Sequence, residues 1–224
     1  MIFLVSKKNV WSDHLFSSVK KKYDCKYFND SSYIEELQNF NQPDWIFFFH
    51  WSSLIPEEIY KNYRCVVIHT GNLPQGRGGS PIQNQILDGV IESRVNAITV
   101  ERTIDSGDIY HSLPITLQGS LYDIWMVIAH RACSLIKKCV DENLTPTQQV
   151  GEVQTYKRRK DNKVPFENTD NIFQIYKFIQ MLDADGYPNP YFKIGNYKIE
   201  FSRAKIEKDN ILCDVKIKRE EYRT

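Results

Sequence analysis

Two short runs without a polar side chain, Trp45-Ile-Phe-Phe-Phe49 and Cys65-Val-Val-Ile68, each end in a histidine. They constrain the fold more than any other feature. Unbroken apolar runs this short, with no alternation, suit strands covered on both faces, as in a parallel sheet. Pro43-Asp44 introduces the first run, and Pro56 can sit in the first turn of a short helix through Tyr60 between the two.

The surrounding sequence repeats this alternation. Met1–Ser6 is β-rich, and Lys26–Phe28 could add a short strand. Trp11, Leu15 and Val19 mark a helical stripe over Trp11–Lys22, and Ile34–Phe40 reads as another helix. A βαβα order implies an α/β fold: a mostly parallel, twisted sheet with helices on both faces. After His69 comes a glycine-rich loop, His69–Ser80. Pro81 then starts a helix to Asp88, with Gly89 suited to its C-terminal end. Val95–Val100 and Ile109–Leu117 read as strands, and Leu121–Glu142 as the longest helix. Ser120 and Asp123 form a capping-box pattern at its start.

The chain changes character near Thr145. Thr145–Lys163 is polar and contains Lys157-Arg-Arg-Lys160. Helical periodicity returns over Asn171–Leu182, followed by strand-like Tyr191–Ile194, Lys198–Phe201 and Ile211–Ile217. The expected organisation is an α/β domain over 1–150 and a small C-terminal α+β appendage over 151–224. A length of 224 residues fits one domain with such an appendage.

Composition excludes some function classes. Lys+Arg 29 nearly balances Asp+Glu 28, whereas domains that grip nucleic acid by bulk charge are strongly basic. No nucleic-acid partner is expected. No stretch approaches the ~18 apolar residues of a membrane span, so no membrane partner is expected either. The apolar opening before Lys7 and Lys8 is too short for a signal-peptide core. The five cysteines, without any C-x-x-C, read as free thiols in a reducing, cytoplasmic setting, with no metal site. The 12 Phe, 13 Tyr and 4 Trp fill a core and can also line a pocket for a flat ligand.

Ligand sites of such sheets lie beyond the carboxyl ends of the strands. His50 and His69 both stand there, either as polar caps to strands or as proton-transfer groups. His69 has the richer setting. It is followed by Gly76, Gly78 and Gly79, which permit close backbone approach to a ligand, and by Arg77, a planar cationic fork. Asp105-Ser-Gly107 closes the next strand. It is a common turn pattern, and its carboxylate could also orient an imidazole.

The combination His69-x4-Pro74-x2-Arg77-Gly78 with Asp105-x-Gly107 resembles the folate-dependent formyltransferase family, over roughly Met1 to Glu142. The longer run to Pro81-Ile-Gln83-Asn84, and Leu182-Asp-Ala-Asp-Gly-Tyr-Pro-Asn-Pro-Tyr-Phe192 with Phe201-Ser-Arg-Ala204, are similar to the branch that formylates nucleotide-linked amino sugars for bacterial surface glycans. The nearest likeness is to enzymes neighbouring the pseudaminic-acid pathway.

The resemblance implies a Rossmann-like formyltransferase fold and transfer of a formyl group from 10-formyltetrahydrofolate to a primary amine. It implies catalytic roles for His69, which would shuttle a proton or donate to the oxyanion, and Asp105, which would orient it. The family's Asn two residues before the histidine is Val67 here, so another group must donate to the oxyanion. Asn84 is the expected substitute, with Asn72 and a backbone N–H as alternatives. Folate is expected against Trp51, Leu54, Glu101, Arg102 and Thr103. The nucleotide sugar is expected against Lys8, Trp11, Asn72, Arg77, Gly78 and Ser80, with UDP and dTDP both open. The family precedent also allows a homodimer. Val67 leaves open a catalytically impaired binding protein, and the acceptor could instead be an initiator tRNA or a ribonucleotide amine.

Overall fold

The computed structural model describes residues 1–39, 42–167 and 169–220. The expected helix over Ile34–Phe40 therefore ends on a residue, Phe40, outside the described ones.

Four parallel strands form the heart of the molecule: β1 (Ile2–Ser6), β2 (Cys25–Phe28), β3 (Trp45–Phe49) and β4 (Cys65–Thr70). The helices α1 (Val10–Lys20), α2 (Ser32–Gln38) and α3 (Glu57–Asn62) connect them. The sheet order is β2-β1-β3-β4, extended by β6 (Glu92–Thr99) and β7 (Ile109–Thr116), which run antiparallel. The apolar runs are buried on both faces as their composition demands. Leu4, Phe47, Phe49, Val66 and Ile68 face one core, and Phe3, Val5, Ile46, Phe48 and Cys65 face the other. Burying a phenylalanine contributes about 1.5–3 kcal/mol, so Phe47, Phe48 and Phe49 together fix this register firmly.

The first core is closed by α1 and by α5 (Leu121–Glu142), whose Leu121, Ile124, Ile128, Leu135 and Ile136 are buried. The capping box forms: Ser120 Oγ accepts from Asp123 N–H, and Asp123 Oδ2 accepts from Ser120 N–H. Tyr33 and Leu37 of α2 and Ile59 of α3 close the second core.

Two strands were not legible as such. β5 (Gln75–Gly78) lies inside the glycine-rich loop and pairs in parallel with β8 (Gln154–Tyr156) from the polar segment. Neither is apolar, because this ribbon rests on the surface. A glycine is required at Gly78, where φ is +97° and a Cβ would stand 2.4 Å from the Tyr156 carbonyl. The helix α4 (Pro81–Leu87) starts at Pro81, as expected, and Gly89 follows its end at φ +78°. Beyond it, α6 (Ile172–Gln180) buries Ile175, Phe178 and Ile179 in the first core. β9 (Tyr191–Ile194), β10 (Tyr197–Glu207) and β11 (Asn210–Arg219) form an antiparallel sheet. No helix among the described residues is long and apolar enough to cross a membrane.

Candidate active site

The sheet brings His69 and Asp105 together. His69, at the carboxyl end of β4, is 6% exposed, and its Nδ1 stands 3.4 Å from Asp105 Oδ1. Its Nε2 lies 2.9 Å from the Gly76 carbonyl oxygen. A carbonyl only accepts, so Nε2 carries the proton, and Nδ1 is the nitrogen left for chemistry. Asn96, buried on β6 opposite His69, donates to the Gly71 carbonyl at 2.7 Å and accepts from Ser112 Oγ, which steadies the strand end.

Asp105 is held by its backbone. It adopts φ +54°, an uncommon conformation for a non-glycine residue. Gln149 Nε2 donates to the carbonyls of Asp105 at 2.9 Å and Gly107 at 2.7 Å. The Arg77 guanidinium in turn donates twice to Gln149 Oε1, at 3.0 and 2.7 Å. Gly107 is pressed on β6 so closely that a Cβ would fall 1.9 Å from the Thr99 carbonyl oxygen. Gly78 N–H donates to Asp105 Oδ2 at 2.9 Å.

His69 and Asp105 open into a cleft of about 880 Å³. Of the residues expected against folate, Trp51, Leu54, Glu101 and Arg102 line it; Thr103 does not, its carbonyl accepting from Ser106 within the turn. Of those expected against the sugar nucleotide, Lys8, Trp11, Gly78 and Ser80 line it. Asn72 borders a separate pocket of about 210 Å³. Arg77 is not on the cleft, because its guanidinium is turned to Gln149. Asn84 also points away: Nδ2 donates to the carbonyls of Gly79, Ser80 and Lys157, which leaves no N–H for an oxyanion. Val67 lines the cleft and offers no donor.

His50 is placed for a different task. Its Nδ1 meets Asn9 Nδ2 at 3.1 Å and its Nε2 meets the Tyr187 hydroxyl at 3.3 Å. It packs edge-on against Trp125, which itself stacks on Trp11. Burial, with Lys7 as a lesser cause, lowers its pKa to about 4, so the ring is neutral near pH 7. Trp125 Nε1 donates to Tyr187 Oη at 2.9 Å, and burial pushes the Tyr187 phenol up to about 12.

The basic tetrad reaches the cleft through the β5–β8 ribbon. Gly79 N–H donates to the Tyr156 carbonyl, and Arg159 N–H donates to Ser80 Oγ. Arg158, Arg159 and Lys160 thereby line the cleft with Lys7 and Lys8. Sequence reasoning missed Gln83, Trp125, Gln149 and Tyr187. Gln149 and Tyr187 act across more than forty residues of chain, which no local spacing reveals. Gln83 and Trp125 sit on helices whose periodicity reports burial only.

Comparison with known proteins shows the family of the chain. A family model described as "Formyl transferase" matches residues 4–122, and one described as "Methionyl-tRNA formyltransferase, C-terminal domain" matches 160–218. A solved structure titled methionyl-tRNA formyltransferase from Clostridium thermocellum is 34% identical, with TM-score 0.91, covering 98% of this chain and 99% of that one. A methionyl-tRNA formyltransferase of Nitratiruptor sp. is 28% identical over 60% of this chain and 47% of its own length. The chain spans about half the length of the curated relatives it matches. An N-formyltransferase from Helicobacter canadensis, solved with folinic acid and dTDP-3-aminofucose, shares the fold at 14% identity and TM-score 0.65, over 99% of this chain and 100% of that one. With one family model spanning more than half of it, this chain belongs to the formyl transferase family.

Proposed function

We propose that this chain transfers the formyl group of 10-formyltetrahydrofolate to the primary amine of a nucleotide-linked amino-deoxy sugar, a step in making a bacterial surface glycan. The observation that carries the transfer chemistry is the His69–Asp105 pair in the cleft, with Nδ1, beside the Asp105 carboxylate, as the ring nitrogen not bonded to the Gly76 carbonyl. The carrier supplies the formyl group. Trp51, whose buried Nε1 has no partner among the described residues, offers it an aromatic wall with a spare donor. The amine nitrogen attacks the formyl carbon, and the bond to the carrier nitrogen breaks. His69 Nδ1 takes the proton lost by the amine and returns it to the leaving nitrogen. Asp105 fixes the ring and stabilises its cationic form. Holding amine and formyl carbon together in a narrow cleft provides much of the acceleration.

Support for a sugar-nucleotide acceptor comes from the cleft's own chemistry. Lys7, Lys8, Arg158, Arg159 and Lys160 offer cations to a diphosphate, and Trp11 with Trp125 offers an aromatic wall. The Helicobacter canadensis neighbour was solved with such a ligand. Five free thiols suit a reducing cytoplasm, and a homodimer is part of this reading. A second reading, initiator tRNA as acceptor, draws on the names of the Clostridium thermocellum and Nitratiruptor proteins. The test is transfer of labelled formyl from 10-formyltetrahydrofolate to a panel of UDP- and dTDP-linked amino sugars, glycinamide ribonucleotide and charged initiator tRNA. Selective labelling of an amino sugar is expected; selective labelling of the tRNA establishes the second reading.

A further inference from the structure

We propose that the Gln83 carboxamide supplies the oxyanion contact of this reaction, its Nε2–H donating to the formyl oxygen as negative charge develops there. The inference rests on the formyl-transfer reading above. Attack on a formyl carbon places charge on its oxygen, and a site that accelerates the step aims a preorganised donor at that position.

Several side-chain amides on or near the cleft are already engaged. Asn9 donates to the Lys7 carbonyl and meets His50. Asn84 is spent on three carbonyls and Asn96 on the β4 strand end. Gln85 donates to the carbonyls of Thr70 and Pro81. Gln83 differs. It is 7% exposed, it lines the same cleft as His69 and Asp105, and its Nε2 has no hydrogen-bond partner among the described residues. Its side chain interacts with the Tyr187 phenol, but Nε2 falls short of hydrogen-bond geometry there. A buried donor without an acceptor costs about 1–3 kcal/mol, so a helix that keeps one on a cleft wall is set up for an acceptor that arrives from outside.

Among the described residues, two other buried donors without a partner belong to cleft-lining side chains, Trp11 Nε1 and Trp51 Nε1. Gln83 is favoured by its connection to the reacting pair. The segment from Gly76 to Gly78 accepts from His69 and donates to Asp105, and after Ser80 it runs directly into α4, where Gln83 is the third residue. Two backbone donors of that stretch are occupied: Gly78 N–H holds Asp105 and Gly79 N–H holds the Tyr156 carbonyl. Val67, on the same strand face as His69, has only methyl groups to offer.

The test uses the full chain and two reactions: transfer to the best amine, and acceptor-free hydrolysis of 10-formyltetrahydrofolate to formate and tetrahydrofolate. Both pass charge onto the formyl oxygen, so hydrolysis reports on the oxyanion contact whatever the true acceptor is. Gln83→Leu is expected to lower kcat in both reactions by about 100- to 1,000-fold, with little change in either KM. Gln83→Glu keeps the length and replaces the donor by a charge; it serves if Gln83→Leu melts early, and an equal or larger loss is expected. Adding Val67→Asn to Gln83→Leu places a carboxamide on the His69 side of β4 and is expected to restore activity at least tenfold. A kcat near wild type in both Gln83 variants, or a loss confined to the acceptor KM, overturns the inference while the formyl-transfer reading stands. A wild-type chain inert in both reactions overturns that reading, and the inference with it.

Discussion

Asp105 divides its carboxylate between two partners: Oδ2 accepts from Gly78 N–H at 2.9 Å, and Oδ1 faces His69 Nδ1 at 3.4 Å. The glycine fixes the carboxylate, and the carboxylate stands where it can hold the ring once Nδ1 takes a proton. Asp105→Asn can keep the Gly78 contact, but its amide then donates to Nδ1 and occupies the nitrogen that must take a proton. Turnover in Asp105→Asn and in His69→Ala is expected to fall about 10²- to 10⁴-fold. The double variant is expected to lose little more, since the two act as a unit. Labelled formyl transfer measures this, with circular dichroism as the check on folding; wild-type-like turnover in both single variants removes them from the chemistry.

The strained turn at Asp105 exists because Gly107 lets it press against β6. In Gly107→Ala the new methyl meets the Thr99 carbonyl, a backbone atom of β6 at a residue paired with Val66 of β4 and unable to swing aside. Overpacking of this kind costs about 1–3 kcal/mol. For a chain of this size that is a fall in melting temperature of roughly 2–12 °C. Calorimetry is expected to show that fall together with loss of turnover, because Asp105 moves with the turn. An unchanged melting temperature would mean that the turn relaxes freely.

Legibility in the sequence followed distance along the chain. The helix α5 was readable to its end residues, since its cap and apolar stripe are local. The strands β3 and β4 announced themselves by having no polar residue. The pairing of His69 with Asp105 came from the family resemblance, not from any spacing rule. Arg77 read as a ligand group because a cation beside glycines suits an anion; its actual partner, Gln149, sits in a polar stretch without periodicity. The β5–β8 ribbon escaped for a related reason: a surface pair needs no apolar alternation, so Gln75–Gly78 and Gln154–Tyr156 looked like loops.

Burial makes His50 a brake on acid stability. Its pKa is lowered from 6.5 to about 4, so the unfolded chain binds its proton first as pH falls. The contribution is complete above pH 6.5 and is lost progressively as pH falls through about 4, up to about 3 kcal/mol in total. His50→Asn keeps a residue that tolerates the φ of +47° and removes the titration. Urea unfolding of this variant between pH 7 and 4 is expected to show a shallower decline than wild type. Parallel declines would show that the ring is solvated.

The Arg77–Gln149 pair separates positioning from binding. If Arg77 met the substrate directly, its removal would raise the acceptor KM and spare kcat. In this fold it meets Gln149, which carries the carbonyls on either side of Ser106 and so fixes where the Asp105 carboxylate stands. Displacing a reacting group by about 1 Å can cost up to about 100-fold in rate. Arg77→Ala and Gln149→Ala are therefore expected to lower kcat by similar factors and leave both KM values nearly unchanged. Arg77→Lys should rescue poorly, because one ammonium cannot reproduce the two-pronged contact from Nε and a terminal nitrogen to a single oxygen. Steady-state kinetics on these three variants decides the matter: a rise in acceptor KM with kcat intact would return Arg77 to the substrate.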